Sequence, residues 1–241
     1  MLYHLLYPLH EQFALFNVFR YITFRTAGAI VTAILLALLL GPRFIATLRR
    51  MSVGQNIREV GPQSHQVKAG TPTMGGLLIL FTLVVPTLLW ANLANLYVWI
   101  AIGVTLGFGA IGFVDDFLKV RRRRNLGLSA RAKFLLQVGV ATLAGSLLRV
   151  MPIEGTFAPT LTFPFFKELV INLGILYVPF VVFVLVGASN AVNLTDGLDG
   201  LAIGATLFAA ATYAIFTYVA GNRVVAQYLQ VAYVPGVGEV T

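Results

Sequence analysis

Between Lys68 and Asp115 the chain runs for 46 residues without one charged side chain. A helix rises about 1.5 Å per residue and a hydrocarbon core is about 30 Å thick, so this interval is too long for one membrane-spanning helix. It suits two helices joined by a tight turn near Asn92 to Asn95. A charge at the bilayer centre costs at least about 2.5 kcal/mol, and the remaining charge-poor intervals are read as spans by the same argument. They are Tyr21 to Leu48, Phe134 to Leu148, Leu173 to Ser189 and Leu201 to Ala220. Gly41-Pro42 is expected to kink the first of these, and Arg149 must snorkel to the interface for the fourth helix to span. The expected fold is all-α: a polytopic transmembrane helical bundle with about six spans, forming a single domain over residues 1–241.

Composition agrees with a lipid environment. Hydrophobic residues make up 58% of the chain and charged ones 11%, against roughly 25% charged in soluble domains. The absence of cysteine excludes disulfides and thiolate metal sites. The net charge of +8 points to cytoplasmic loops and anionic lipid rather than to nucleic acid, for which no reading module is present. The first apolar run has neither a basic leader nor a small-residue cleavage site, and is read as retained. Arg43, Arg49, Arg50, Arg58, Lys68, Lys119, Arg121, Arg122, Arg123, Arg124, Arg131 and Lys133 fall on one side, and Arg20, Arg25, Arg149, Lys167 and Arg223 on the other. The twelve mark the cytoplasmic side, with loops at about 49–74, 115–133 and 190–200 and the N-terminus outside; Arg20 and Arg25 run against that rule.

All four aspartates fall at the cytoplasmic ends of spans. Asp115 and Asp116 close the third span in GFVDDF, where adjacent carboxylates repel unless they share a cation or a proton. In GASNAVNLTDGLDGLA, Asn190, Asn193, Asp196 and Asp199 recur every three residues, so a helical or 3₁₀-like segment lines them along one face. Gly197 and Gly200 let backbone approach a ligand closely and can supply left-handed dihedrals. In HQVKAGTPTMGG, Lys68 and Thr73 sit among glycines before the second span; the spacing is not that of a Walker A loop. The basic run Lys119 to Arg124, with Arg131 and Lys133, either sets topology or forms an anion site beside the aspartate pair. His4, His10 and His65 show no ligand spacing.

HQVKAGTPTMGG, GFVDDFLKV and NAVNLTDGLDGLA, in that order, resemble the phospho-N-acetylmuramoyl-pentapeptide-transferase family, within the glycosyltransferase 4 superfamily of polyprenyl-phosphate sugar-phosphate transferases. The GTPTMGG loop separates this family from those handling another UDP-hexosamine. The resemblance implies a bacterial cytoplasmic-membrane enzyme that moves phospho-MurNAc-pentapeptide from its UDP carrier to undecaprenyl phosphate, giving UMP and lipid I, with Mg²⁺ as cofactor. Its partners would be these two substrates, membrane lipids and a second copy of the chain as a homodimer. It also implies catalytic roles for Asp115 and Asp116, with Asp115 accepting a proton, and metal ligation by Asn193 and Asp116. Gly197, Leu198 and Asp199 would read uracil, with Lys68 nearby; Thr73, Asn190 and Asp196 would line the cleft, and Lys119 and Lys133 would contact phosphates. Family members have about ten spans, so the chain matches their N-terminal two-thirds and is expected to lack activity alone. The rival class is a multi-pass transporter, which would carry charges or broken helices at mid-span.

Overall fold

The computed structural model describes residues 1–50, 74–122, 127–151, 159–163, 166, 168–196 and 200–241. A short helix α1 (Leu2–Leu6) and two 3₁₀ stretches, Tyr7–Glu11 and Ala14–Arg20, lead into α2 (Ile22–Arg50). Then follow α3 (Gly76–Trp90), α4 (Leu96–Arg122), α5 (Ala130–Val150), α6 (Tyr177–Thr195), α7 (Leu201–Gly221) and the short α8 (Arg223–Leu229). The six apolar helices α2 to α7 match the six charge-poor intervals, and five of them are long and apolar enough to cross a membrane. The exception is α3, with 15 residues. Their outward faces carry large aliphatic and aromatic side chains such as Ile30, Leu38 and Phe208, all more than half exposed. Such surfaces are stable against lipid and not against water. The protein is an integral membrane protein.

Consecutive helices pack antiparallel, and small residues let them approach. Gly28 of α2 lies against Trp90 of α3, while Gly41 faces Leu78; Gly109 of α4 meets Leu80, Gly107 meets Val140 of α5, and Gly145 of α5 meets Val181 of α6. A Cβ at position 28 would come within 2.6 Å of the Trp90 ring. That ring is fixed in turn: its Nε1 donates to Thr32 Oγ1 at 3.0 Å, and it stacks on Phe19. We expect Gly28→Val to destabilise the protein by about 1–3 kcal/mol through overpacking, seen as a lower unfolding midpoint in lipid nanodiscs. An unchanged midpoint would mean that the α2–α3 contact is loose.

The alternation sets two ends. At one lie the end of α2, the start of α3, the end of α4, the start of α5, the end of α6 and the start of α7. At the other, Arg25 in the first turns of α2 makes a bidentate ion pair with Glu239, each bond 2.7 Å long. Glu239 also accepts from the Asn92 backbone N–H, and Asn95 Nδ2 donates to the Gly236 carbonyl. Arg25 is 5% exposed and Glu239 14%, so this arginine is a neutralised packing element. That explains why it opposes the distribution of the other basic residues, which assumes charges free in loops.

Several features depart from the sequence reading. α4 does not stop at the aspartate pair but continues to Arg122, because Lys119, in the last turn of the helix, pairs with both carboxylates. α6 carries Asn190 and Asn193 within it and ends at Thr195. A two-stranded antiparallel hairpin, β1 (Thr160–Thr162) with β2 (Val170–Asn172), links α5 to α6.

Candidate active site

The site is built where α4 meets α5. Asp115 and Asp116 stand on α4, and Lys119 one turn later reaches back to both: its Nζ is 2.7 Å from Asp115 Oδ2 and 3.0 Å from Asp116 Oδ1. The i,i+4 and i,i+3 spacings place one ammonium between two carboxylates on the same helix face. Asp115 is held from a second direction, because its Oδ1 accepts the Leu128 backbone N–H at 2.8 Å. Gly127 makes this approach feasible. Any Cβ there would overlap Asp115 Oδ1 and lie 2.6 Å from its carbonyl oxygen. Ser129 then caps α5, its Oγ accepting the Ala132 N–H, and this fixes the helix that carries Lys133. The charge of Lys133 acts on Asp115.

The two aspartates differ in freedom. Asp115 is 13% exposed with both oxygens engaged; Asp116 is 40% exposed, and its Oδ2 has no hydrogen-bond or ion-pair partner among the described residues. Asp115 is therefore oriented and Asp116 is open to a ligand.

α5 ties this pair to α6. Gln137, one turn beyond Lys133 on the same face, is 3% exposed; its Oε1 accepts from Asn190 Nδ2 at 2.9 Å and its Nε2 approaches Ser189 Oγ at 3.4 Å. Asn190 Nδ2 also donates to the Val186 carbonyl one turn earlier in α6, so one amide nitrogen bonds both to α5 and to its own helix, and its Oδ1 has no partner among the described residues. The Gln137–Asn190 and Gly145–Val181 contacts define the antiparallel register. One turn further, that register sets Asn193 level with Lys133. Asn193 and Asp196, the C-cap of α6, are exposed. Gly200 starts α7 with φ +84°, a left-handed conformation that glycine adopts without strain.

Asp115, Asp116, Lys119, Lys133, Asn190, Asn193 and Asp196 thus share one end of the bundle. Lys68, Thr73, Gly197, Leu198 and Asp199 lie outside the described residues. The sequence reading missed Gln137, Gly127 and Leu128. Gln137 alone gave a signal, as an amide inside an otherwise apolar interval.

Among the described residues no group of three His, Asp or Glu side chains could hold a metal. The donor chemistry still fits a hard divalent cation: two carboxylates already converge on one cationic group, and one of their four oxygens is free.

Comparison with known proteins shows the family of the chain. The family model for glycosyl transferase family 4 matches residues 98–237, and signature 1 of the phospho-N-acetylmuramoyl-pentapeptide-transferases matches residues 68–80. Curated proteins named phospho-N-acetylmuramoyl-pentapeptide-transferase align along the chain. The one from Desulfosudis oleivorans is 56% identical over 241 residues, covering 100% of this chain and 66% of that protein. The one from Nitratidesulfovibrio vulgaris is 58% identical over 240 residues, covering 100% and 66%. The one from Citrifermentans bemidjiense is 52% identical over 239 residues, covering 99% and 66%. The chain thus spans just under two-thirds of the length of these relatives. With a family model covering more than half of its residues, the protein belongs to glycosyl transferase family 4 and carries the first signature of its phospho-N-acetylmuramoyl-pentapeptide-transferase branch.

Proposed function

We propose that this chain forms the membrane-embedded catalytic region of an enzyme that transfers phospho-MurNAc-pentapeptide from UDP-MurNAc-pentapeptide to undecaprenyl phosphate, giving lipid I and UMP. The observation that carries the reading is the shared end of the bundle. There, Asp115, Asp116, Lys119 and Lys133 meet in a chain 52–58% identical to relatives bearing that transferase name. We place this end at the cytoplasmic face of the bacterial inner membrane and the N-terminus outside, because basic residues concentrate at the aspartate end. A soluble nucleotide and a lipid phosphate can meet only at such a surface.

In the reaction, an oxygen of the lipid phosphate forms a bond to the sugar-bearing phosphorus of the donor, and the bond from that phosphorus to UMP breaks. All reacting groups are anionic, so positioning and charge neutralisation carry most of the catalysis. Asp115, oriented by Leu128, accepts any proton left on the attacking phosphate. Asp116 and Asn193 would hold Mg²⁺, which supplies charge neutralisation at the diphosphate. Lys119 and Lys133 bind phosphate oxygens, while Asn190 and Asp196 line the cleft. We assign Lys68 and Thr73 to the same cleft, and Gly197, Leu198 and Asp199 to the uracil ring. On this assignment Asp199→Ala raises the KM for the nucleotide about tenfold, the weight of a hydrogen bond to a charged group, and leaves the KM for undecaprenyl phosphate unchanged. Equal losses for both substrates would argue for a structural role.

The reading is tested with the complete protein and two donors labelled in the sugar. Label from UDP-MurNAc-pentapeptide should enter the lipid extract when undecaprenyl phosphate is supplied, and label from UDP-N-acetylglucosamine should not. Comparable transfer from UDP-N-acetylglucosamine would favour a transferase of another UDP-hexosamine.

A further inference from the structure

Lys119 occupies the position a cation would take between Asp115 and Asp116, and this bears on how the site loads. Its ammonium sits 2.7 Å from Asp115 Oδ2 and 3.0 Å from Asp116 Oδ1. Resting on the transferase reading above, we propose that a divalent cation binding at Asp116 displaces Lys119 from both carboxylates, and that Lys119 exchanges them for the donor's diphosphate when cation and nucleotide bind.

Charge arithmetic drives the exchange. Two carboxylates and one ammonium leave one negative charge; two carboxylates and a divalent cation leave none. A cation and an ammonium together leave an excess positive charge, which repels Lys119 toward the incoming phosphates. The stereochemistry permits it, since Lys119 is 39% exposed and its four-carbon stem swings without any backbone movement. The carboxylate it leaves keeps its aim, because Asp115 Oδ1 remains on the Leu128 N–H and Gly127 keeps that backbone against it. Departure of Lys119 bares Asp115 Oδ2, the oxygen of the proposed base that the Leu128 N–H does not hold. The lysine thus masks the proposed base until the donor arrives.

The test is Lys119→Met in the complete protein in nanodiscs, with two probes. Mn²⁺ alone, followed by electron paramagnetic resonance, should bind roughly tenfold more tightly than to wild type, because two carboxylates lose their resident counter-ion. UDP in saturating Mg²⁺, followed by calorimetry, should bind roughly tenfold more weakly, because a phosphate contact is lost. Opposite signs distinguish exchange from structural damage, which weakens both. A second measurement needs no variant: acylation of Lys119 in wild type, read by mass spectrometry, should rise when Mg²⁺ is added and fall again with UDP. Equal or weaker Mn²⁺ binding by Lys119→Met, or acylation indifferent to Mg²⁺, overturns the role of Lys119 and leaves the transferase reading intact. Mn²⁺ binding by neither protein overturns both.

Discussion

Asp115→Asn and Asp116→Asn in the complete enzyme each lower turnover by about 10²- to 10⁴-fold, the range associated with loss of a positioned proton acceptor or charge-stabilising group, while the protein stays folded. Folding is expected to survive because asparagine at 115 can still accept the Leu128 N–H through its carbonyl oxygen, and because Asp116 is 40% exposed. On the roles proposed above, Asn at 115 removes the charge that Lys119 balances and the oxygen that takes the proton. On the same proposal, Asn at 116 removes a cation ligand. Lipid I formation near the wild-type rate by both variants, with unfolding midpoints unchanged, would remove this pair from the chemistry.

The second large effect lies at the opposite end of the bundle and concerns stability. Arg25 and Glu239 are joined by two bonds of 2.7 Å, and the Arg25 guanidinium also lies over the Tyr3 ring at 4.7 Å. Removing one partner of such a buried pair leaves an uncompensated charge, and Arg25→Ala should cost about 3–5 kcal/mol. The double change Arg25→Met with Glu239→Met should recover most of that loss, since a well-packed apolar pair of similar volume is often as stable as a buried ion pair. The check is the unfolding midpoint of the three proteins in the same lipid. An Arg25→Ala midpoint equal to wild type would show that the pair is solvated.

The helices were legible in the sequence because lipid imposes one simple demand, that charges stay out of the hydrocarbon layer, and the 46-residue interval obeys it with a turn at Asn92–Asn95. The aspartate end was legible for a related reason: Asp115, Asp116 and Asp196 interrupt runs that are otherwise apolar. What escaped depends on contacts between distant residues. The Arg25–Glu239 pair joins positions 214 apart, and no local pattern announces it. The closure of Gly127 and Leu128 over Asp115 follows from where the chain re-enters α5, not from residue type. Stopping the third span at Asp115 treated both carboxylates as solvated charges. Lys119 pairs with both within the helix and lets α4 run on to Arg122. The hairpin at 160–172 is too short and too exposed to show the alternation by which strands are recognised.

The most direct test of the central claim is the identity of the leaving nucleotide. A family described as glycosyl transferases invites the expectation that the sugar alone moves and UDP departs. The site proposed here collects cationic groups around two carboxylates, an arrangement suited to attack on phosphorus. Incubated with UDP-MurNAc-pentapeptide, undecaprenyl phosphate and Mg²⁺, the complete enzyme should release one UMP for every lipid I formed, and no UDP. Release of UDP in step with the lipid product would place bond cleavage at the sugar carbon, and the account given for Asp115, Asp116 and Lys119 would be wrong.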